Sequence, residues 1–283
     1  MMDKRTILVT GANGQLGREL IMLEQDKFHM IGLSREELDI TDLQACYKLF
    51  RKYSPYAVIH CAAYTAVDKA ESEQDEAFRV NEDGTRNVAI AAEEVKAKLI
   101  YVSTDYVFNG SSSKPYEVTD QVEPRTVYGA SKLAGEKAVQ ACHSKYFIVR
   151  TSWVFGRYGN NFVKTMLQLS KQGKPLKVVA DQIGSPTYTL DLAKLLLEMA
   201  VSEQYGTYHA SNTGVCSWFD FAVQIFEESS LKVEVNPCST EEFPRPAPRP
   251  AYSVMAHTEL VNRGFVPLRS WQEALKEYLA QIS

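Results

Sequence analysis

Residues 6–10 read Thr-Ile-Leu-Val-Thr, a short apolar run rich in β-branched residues that stops at a glycine. Unbroken hydrophobicity over so few residues suits a strand covered on both faces, as in a parallel sheet. Gly11-Ala-Asn13-Gly14-Gln15-Leu16-Gly17 follows, and then a helical stretch to about Glu24. Glycines there let the backbone turn tightly and approach a pyrophosphate, and a helix N-terminus offers free N–H groups and a positive dipole end. The spacing is G-x-x-G-x-x-G, not G-x-G-x-x-G. A glycine-rich connection with no ligand is the plainer reading. The strand and helix on either side argue against it.

The pattern repeats along the first half of the chain. Met30–Leu33 is a second strand and ends at Ser34-Arg35, where an acidic residue is usual if the adenosine ribose keeps its 2′-hydroxyl. A hydroxyl and a guanidinium suit a 2′-phosphate instead, which favours NADP and leaves NAD open. Arg35 as a solvated loop residue is the alternative. Asp39 precedes a helix that Thr41 and Gln44 would open as a capping box; its carboxylate either meets the adenine amino group or stays solvated. Ala57–His60 is the third strand, followed by small residues at Cys61-Ala62-Ala63-Tyr64-Thr65 over which a dinucleotide can lie. Val80-Asn81 opens an alanine-rich helix to about Glu94, and Leu99–Val102 is the fourth strand, which delivers Ser103-Thr104-Asp105. Tyr146–Arg150 is the fifth.

Tyr128 and Lys132 are four residues apart, about one helical turn, so they share a face. A phenol beside an ammonium is expected to titrate below the ordinary value of about 10. The Thr104 hydroxyl can bond the same oxygen that Tyr128 protonates. Alone, Tyr-x-x-x-Lys is as well explained by a tyrosine lying along a lysine stem. Ligands of open α/β sheets, however, bind at the strands' carboxyl ends, and that rule brings Gly11, Ala62, Thr104 and the Tyr128 helix to one edge.

Beyond residue 151 the alternation breaks down. A helix is expected from Asn160-Asn161-Phe162 to about Gln172, a turn-rich loop over 181–187, and helices over 190–200 and 218–228. An amphipathic helix from about Ser270 closes the chain. Phe243–Pro250 (FPRPAPRP) reads as a stiff loop carrying Arg245 and Arg249, with an SH3-type ligand as the alternative. The expected architecture is α/β: a Rossmann-like doubly wound parallel sheet over residues 1–150, to which later segments return. Residues 151–283 mainly form a smaller, interleaved C-terminal substrate lobe. A net charge of −4 speaks against a nucleic-acid partner. Five scattered cysteines without a C-x-x-C pair indicate reduced thiols, not a disulfide framework or zinc site. The N-terminal apolar run is too short for a signal or a membrane span, so a soluble cytoplasmic protein is expected.

Thr10-Gly11-x-x-Gly14-x-x-Gly17, Asp39, Ala62-Ala63, Asn81, Thr104 and Tyr128-x-x-x-Lys132 together resemble the extended short-chain dehydrogenase/reductases. Five stretches narrow the resemblance to the dTDP-4-dehydrorhamnose reductase group. They are residues 14–17, 62–71, 103–108 and 181–187, and Arg249-Pro-x-x-Ser253. The resemblance spans essentially the whole chain. It implies hydride transfer from NADPH, or NADH, to the C4 carbonyl of a dTDP-4-dehydro sugar. Tyr128 would give the proton, Lys132 would hold the nicotinamide ribose, and Thr104 would bond the reacting oxygen.

Implied cofactor contacts are Gly11, Asn13, Gly14, Gln15, Leu16, Gly17, Ser34, Arg35, Asp39, Ile40, Ala62, Ala63, Tyr64 and Asn81, besides Tyr128 and Lys132. Implied substrate contacts are Val67, Thr104, Asp105, Tyr106 and Trp153, with Asn161, Gln182 and Arg249 toward the nucleotide end. Arg249 would offset a diphosphate. Trp153 as a core aromatic between lobes is the alternative. Dehydrating relatives carry Asp-Glu after the threonine, whereas this chain has Asp105-Tyr106, which disfavours that chemistry. An epimerase of the same fold stays open, as does a regulatory subunit resembling that of methionine adenosyltransferase. Some members of the group dimerise around magnesium. No acidic cluster suggests the metal here, and a homodimer is left open.

Overall fold

The protein, described by a computed structural model over residues 4–23 and 26–282, is built on one six-stranded sheet. Glu24, where the first helix was expected to end, lies outside the described residues. In chain order the first half runs β1 (Arg5–Thr10), α1 (Gln15–Met22), β2 (Phe28–Leu33), α2 (Leu43–Tyr53), β3 (Ala57–His60), α3 (Val67–Ala70) and α4 (Gln74–Phe78). It continues with α5 (Thr85–Glu94), β4 (Lys98–Thr104), α6 (Val127–Cys142) and β5 (Tyr146–Thr151). The second half comprises β6 (Val154–Phe155), α7 (Phe162–Ser170), β7 (Leu176–Val179), β8 (Ile183–Gly184), β9 (Thr187–Tyr188), α8 (Thr189–Val201) and β10 (Gly206–His209). After these come β11 (Asn212–Thr213), β12 (Cys216–Ser217), α9 (Trp218–Glu228), β13 (Val235–Cys238), α10 (Thr258–Asn262), β14 (Leu268–Ser270) and α11 (Trp271–Ile282).

The large sheet has the order β10-β5-β4-β3-β1-β2, and every pairing in it is parallel. Alternation along the strands sends side chains to the two faces of the sheet's core. Ile7 and Val9 pack with Leu20 of α1 and with Leu192, Leu196 and Met199 of α8. Leu8 packs on the other face with Phe50 of α2, Val88 of α5 and Val139 of α6. Two late segments thus return to the sheet: β10 completes its edge and α8 covers one face. The sequence pattern shows β10 only faintly, because Gly-Thr-Tyr-His has no apolar run.

Two local starts differ from expectation. Asp42, not Thr41, caps α2 and accepts from the Gln44 and Ala45 amides at 2.8 and 3.1 Å. Thr41 instead donates to Asp39 and accepts from Arg79. A π-helical turn at Arg79–Gly84 precedes α5.

A second core lies off the large sheet: Phe155, Val163, Met166, Tyr188, Phe221, Ile225, Trp271, Leu275 and Tyr278 cluster among α7, α9 and α11. Its strands come only in pairs, β6 with β9, β7 with β13, β8 with β12 and β11 with β14. All five cysteines are unpaired. No described helix is long and apolar enough to cross a membrane.

Candidate active site

A cleft of about 1480 Å³ runs along the carboxyl ends of β1, β3 and β4 and is closed on its far side by the second core and the 243–250 strap. At one end lies the glycine turn. Gly11 adopts φ +68°, and a Cβ there would stand 2.7 Å from the Ala62 amide. Gly14 begins α1 with no side-chain cap among the described residues, and it lines the cleft with Asn13, Gln15, Leu16 and Gly17, so the helix N-terminus lies on the cleft wall. Bare backbone donors in a cradle that only glycine permits fit a dinucleotide's diphosphate.

Arg35, Asp39, Ile40, Ala62, Ala63, Tyr64 and Val67 also line the cleft. Arg35 is mostly exposed and lies 3.9 Å from Glu76. The Thr41 amide and hydroxyl hold the Asp39 carboxyl below its ordinary range. Ser34 does not reach the wall: it is buried, its amide donates to Glu37 at 2.7 Å, and its side chain bonds Glu36. Asn81 sits behind the wall. Its Oδ1 accepts from the Tyr64 amide at 2.8 Å, and its Nδ2 donates to Ser131 and the Tyr64 carbonyl, so it shapes the 62–65 segment from beneath. Asn161 is likewise structural. It caps α7, and its Nδ2 donates to the Gly156 carbonyl and to Gln15 Oε1, which ties the second core to the glycine turn.

The middle of the cleft holds Thr104, Tyr128 and Lys132. Thr104 Oγ1 donates to Asp105 Oδ1 at 2.9 Å and accepts from the Tyr106 amide at 3.2 Å. The expected depression of the Tyr128 phenol is absent. Burial pushes it up to about 12, opposed by its hydrogen bond with Thr104. No charge from Lys132 offsets that rise, and Lys132 Nζ donates to the Val102 carbonyl at 2.8 Å. Burial brings Lys132 itself down to about 7, with Glu136 and Cys61 pulling the other way. Burial also raises Asp105 to about 6, opposed by the nearby Thr104 and Ser253 hydroxyls, although Asp105 Oδ2 makes no hydrogen bond of good geometry among the described residues. Tyr106 meets Tyr128 edge-on at 5.5 Å.

Toward the strap, Trp153 has φ +48° and stacks on Trp218 at 3.6 Å between centroids. It lines the cleft and packs on the second core at once, so both readings of it describe part of its surroundings. A non-glycine residue held at positive φ stores strain that the surroundings must over-determine. Gln182 lines the cleft while donating to Thr240. Arg249 is already committed, donating to Asp68 at 2.8 Å and to the Ala247 carbonyl at 3.1 Å. Arg245 is the cation that sequence reasoning passed over. It lines the cleft above the Phe243 ring, with no carboxylate in ion-pair reach among the described residues. Trp218 was also missed, since only its stacking on Trp153 singles it out.

A parallel sheet with a glycine cradle at one end of its carboxyl edge and Thr104, Tyr128 and Lys132 in the middle defines an extended short-chain dehydrogenase/reductase, a class of NAD(P)-dependent oxidoreductases. Residues 5–283 match the family model described as RmlD substrate binding domain. The Bacillus subtilis (strain 168) spore coat polysaccharide biosynthesis protein SpsK is 44% identical over 278 residues, 98% of each chain. The dTDP-4-dehydrorhamnose reductase of Aggregatibacter actinomycetemcomitans is 42% identical over 97% of this chain and 98% of its own. The crystal structure of dTDP-4-dehydrorhamnose reductase from Bacillus anthracis str. Ames in complex with NADP matches with a TM-score of 0.97 and 48% identity, covering 99% of this chain and 100% of that one. The chain belongs to the RmlD substrate-binding domain family.

Proposed function

We propose that this protein reduces the C4 keto group of dTDP-4-dehydro-β-L-rhamnose to give dTDP-L-rhamnose, with NADPH as reductant and NADH as a weaker substitute. The observation that supports it most is the meeting of Thr104, Tyr128 and Lys132 at the centre of a cleft whose one end is the uncapped glycine turn. The bound dinucleotide supplies the hydride. Tyr128 then gives its proton to the C4 oxygen, and a phenol kept protonated by burial is suited to donate. Thr104 orients that oxygen by turning its single hydroxyl proton from Asp105 Oδ1 to it. Lys132 binds the ribose and offsets charge as the phenol ionises. Arg35 meets the 2′-phosphate, while Asp105, Tyr106 and Trp153 hold the sugar. Arg245, with no carboxylate in ion-pair reach among the described residues, takes the diphosphate role expected of Arg249. A cytoplasmic setting belongs to this reading and is supported by the five unpaired cysteines.

The test is NADPH consumption by the purified protein on dTDP-4-dehydro-L-rhamnose made in situ by the preceding epimerase, with NADH in parallel. Rapid oxidation with dTDP-L-rhamnose as product is expected. Absence of oxidation in protein that still binds the dinucleotide would overturn the reading in favour of an epimerase or a partner-binding subunit. Tyr128→Phe should lower turnover by about 10²–10⁴-fold and leave dinucleotide affinity nearly intact. Turnover at the wild-type level would refute the assigned proton donor.

A further inference from the structure

Lys132 is a buried ammonium with no ion-paired carboxylate among the described residues, although the Glu136 charge one turn on reaches it. It is 2% exposed, no ion pair to it exists among the described residues, and the Val102 carbonyl is its hydrogen-bond acceptor. A cation so placed has lost most of its solvation, and something must stand in for water. A ring does. Lys132 Nζ lies 4.1 Å from the centroid of Tyr101, itself fully buried on β4. The Tyr101 hydroxyl donates to the Lys132 backbone carbonyl at 3.2 Å, so one residue holds both ends of the lysine.

The helix is shaped to admit this tyrosine. Gly135 lies inside α6, three residues past Lys132, where glycine costs stability relative to alanine. A Cβ at that position would collide with the Tyr101 hydroxyl oxygen and the Asn81 carbonyl. Of the ionisable groups whose charge reaches Lys132, Glu136 favours the charged form most but makes no ion pair with it among the described residues. His60 is kept neutral by burial, its titration pulled down to about 3, and it is engaged by Thr10 and Thr85. The Cys61 thiol is pushed up to about 12 by burial and is neutral too. Glu136, one turn on, is already bound by Arg150 at 2.9 and 2.7 Å and by Ser103 at 2.6 Å.

We propose that Tyr101 is a positioning residue whose ring face keeps the Lys132 ammonium charged and aimed, while its hydroxyl fixes the helix turn that carries it. The inference rests on the reading of Lys132 given above and adds the group that makes a charged lysine tenable there. Tyr101→Phe keeps the ring and deletes the latch, whereas Tyr101→Met fills the space without a ring. The readout is the titration of Lys132 in the protein alone, followed by NMR of ¹³C-labelled lysine side chains. Its signal is identified by its loss in Lys132→Met. The midpoint should fall by about one pH unit or more in Tyr101→Met relative to Tyr101→Phe, the tenfold equivalent of a desolvated cation–π contact. In the reductase assay, turnover of Tyr101→Met should fall at least tenfold relative to Tyr101→Phe above its shifted midpoint, with the sugar-nucleotide KM unchanged. Equal midpoints in the two variants would overturn the ring's role. Should Tyr101→Met fail to fold, pentafluorophenylalanine at position 101 keeps the shape and reverses the ring's electrostatics, and a midpoint equal to that of Tyr101→Phe would refute the proposal. Because the titration needs neither cofactor nor substrate, it stands or falls separately from the reductase reading.

Discussion

The two walls of the cleft are made by different means. The wall on the large sheet is set by backbone ladders: six parallel strands fix where Gly11, Ala62 and Thr104 stand, and side chains only finish the surface. The opposite wall has strands in mere pairs, and its shape depends on side chains meeting side chains, Trp153 on Trp218, Asn161 on Gln15, Arg249 on Asp68. A backbone-built wall tolerates little, because its neighbours cannot move. A side-chain-built wall yields by degrees.

Four substitutions sharpen or break that contrast. Gly17→Ala carries the largest expected effect, since its Cβ would run into the Gly11 carbonyl, which the β1 turn holds in place. Dinucleotide affinity should fall about 100-fold or more, read by fluorescence titration. A loss of less than about threefold would show that this wall yields too.

Asp105→Asn comes next and acts on stability. Burial raises this carboxyl from 3.8 to about 6, so the folded state binds its proton more tightly than the unfolded chain does. The resulting destabilisation is fully present above pH 6, fades as pH falls from about 6 to 4, and is gone below that. The variant should therefore be more stable than wild type by about 1–3 kcal/mol at pH 8 and indistinguishable from it near pH 4, by urea unfolding at each pH. A gain that persisted at pH 4 would point to packing instead of charge.

Gly184→Ala tests the yielding wall. Its Cβ would stand 2.6 Å from the Trp153 indole, a side chain able to shift. The sugar-nucleotide KM should rise about tenfold with dinucleotide affinity unchanged. Arg35→Ala is the mildest: its side chain is 77% exposed, so NADPH affinity should drop about fivefold and NADH affinity stay level. Equal losses for both cofactors would remove Arg35 from the 2′-phosphate.

The same contrast explains what could be read in the chain beforehand. Strands β1 to β5 and the glycine turn carry local signals, apolar runs and glycines at fixed spacing, and these suffice for the parallel sheet and one wall of the cleft. β10 carries almost none, because its four residues owe their place to β5 beside them. Asn81 and Asn161 were expected as ligand contacts only through the family resemblance. Only the fold reveals that their amides are spent on Tyr64, Ser131, Gly156 and Gln15. The Tyr128 phenol went the opposite way from expectation because spacing shows a neighbouring charge but not the burial that outweighs it.

The return of residues 189–209 to the sheet bears on how the protein is born. While the chain emerges from the ribosome, β5 waits with an open edge until β10 arrives. Until α8 emerges, just before β10, Ile7, Val9 and Leu20 lack the helix that covers them. Lys98 has no Ser202 carbonyl to donate to until that residue, too, is made. A fragment ended at residue 150 would keep the glycine cradle yet expose an apolar face and a bare strand. The cradle therefore cannot be moved to another chain as a module unless residues 189–209 travel with it.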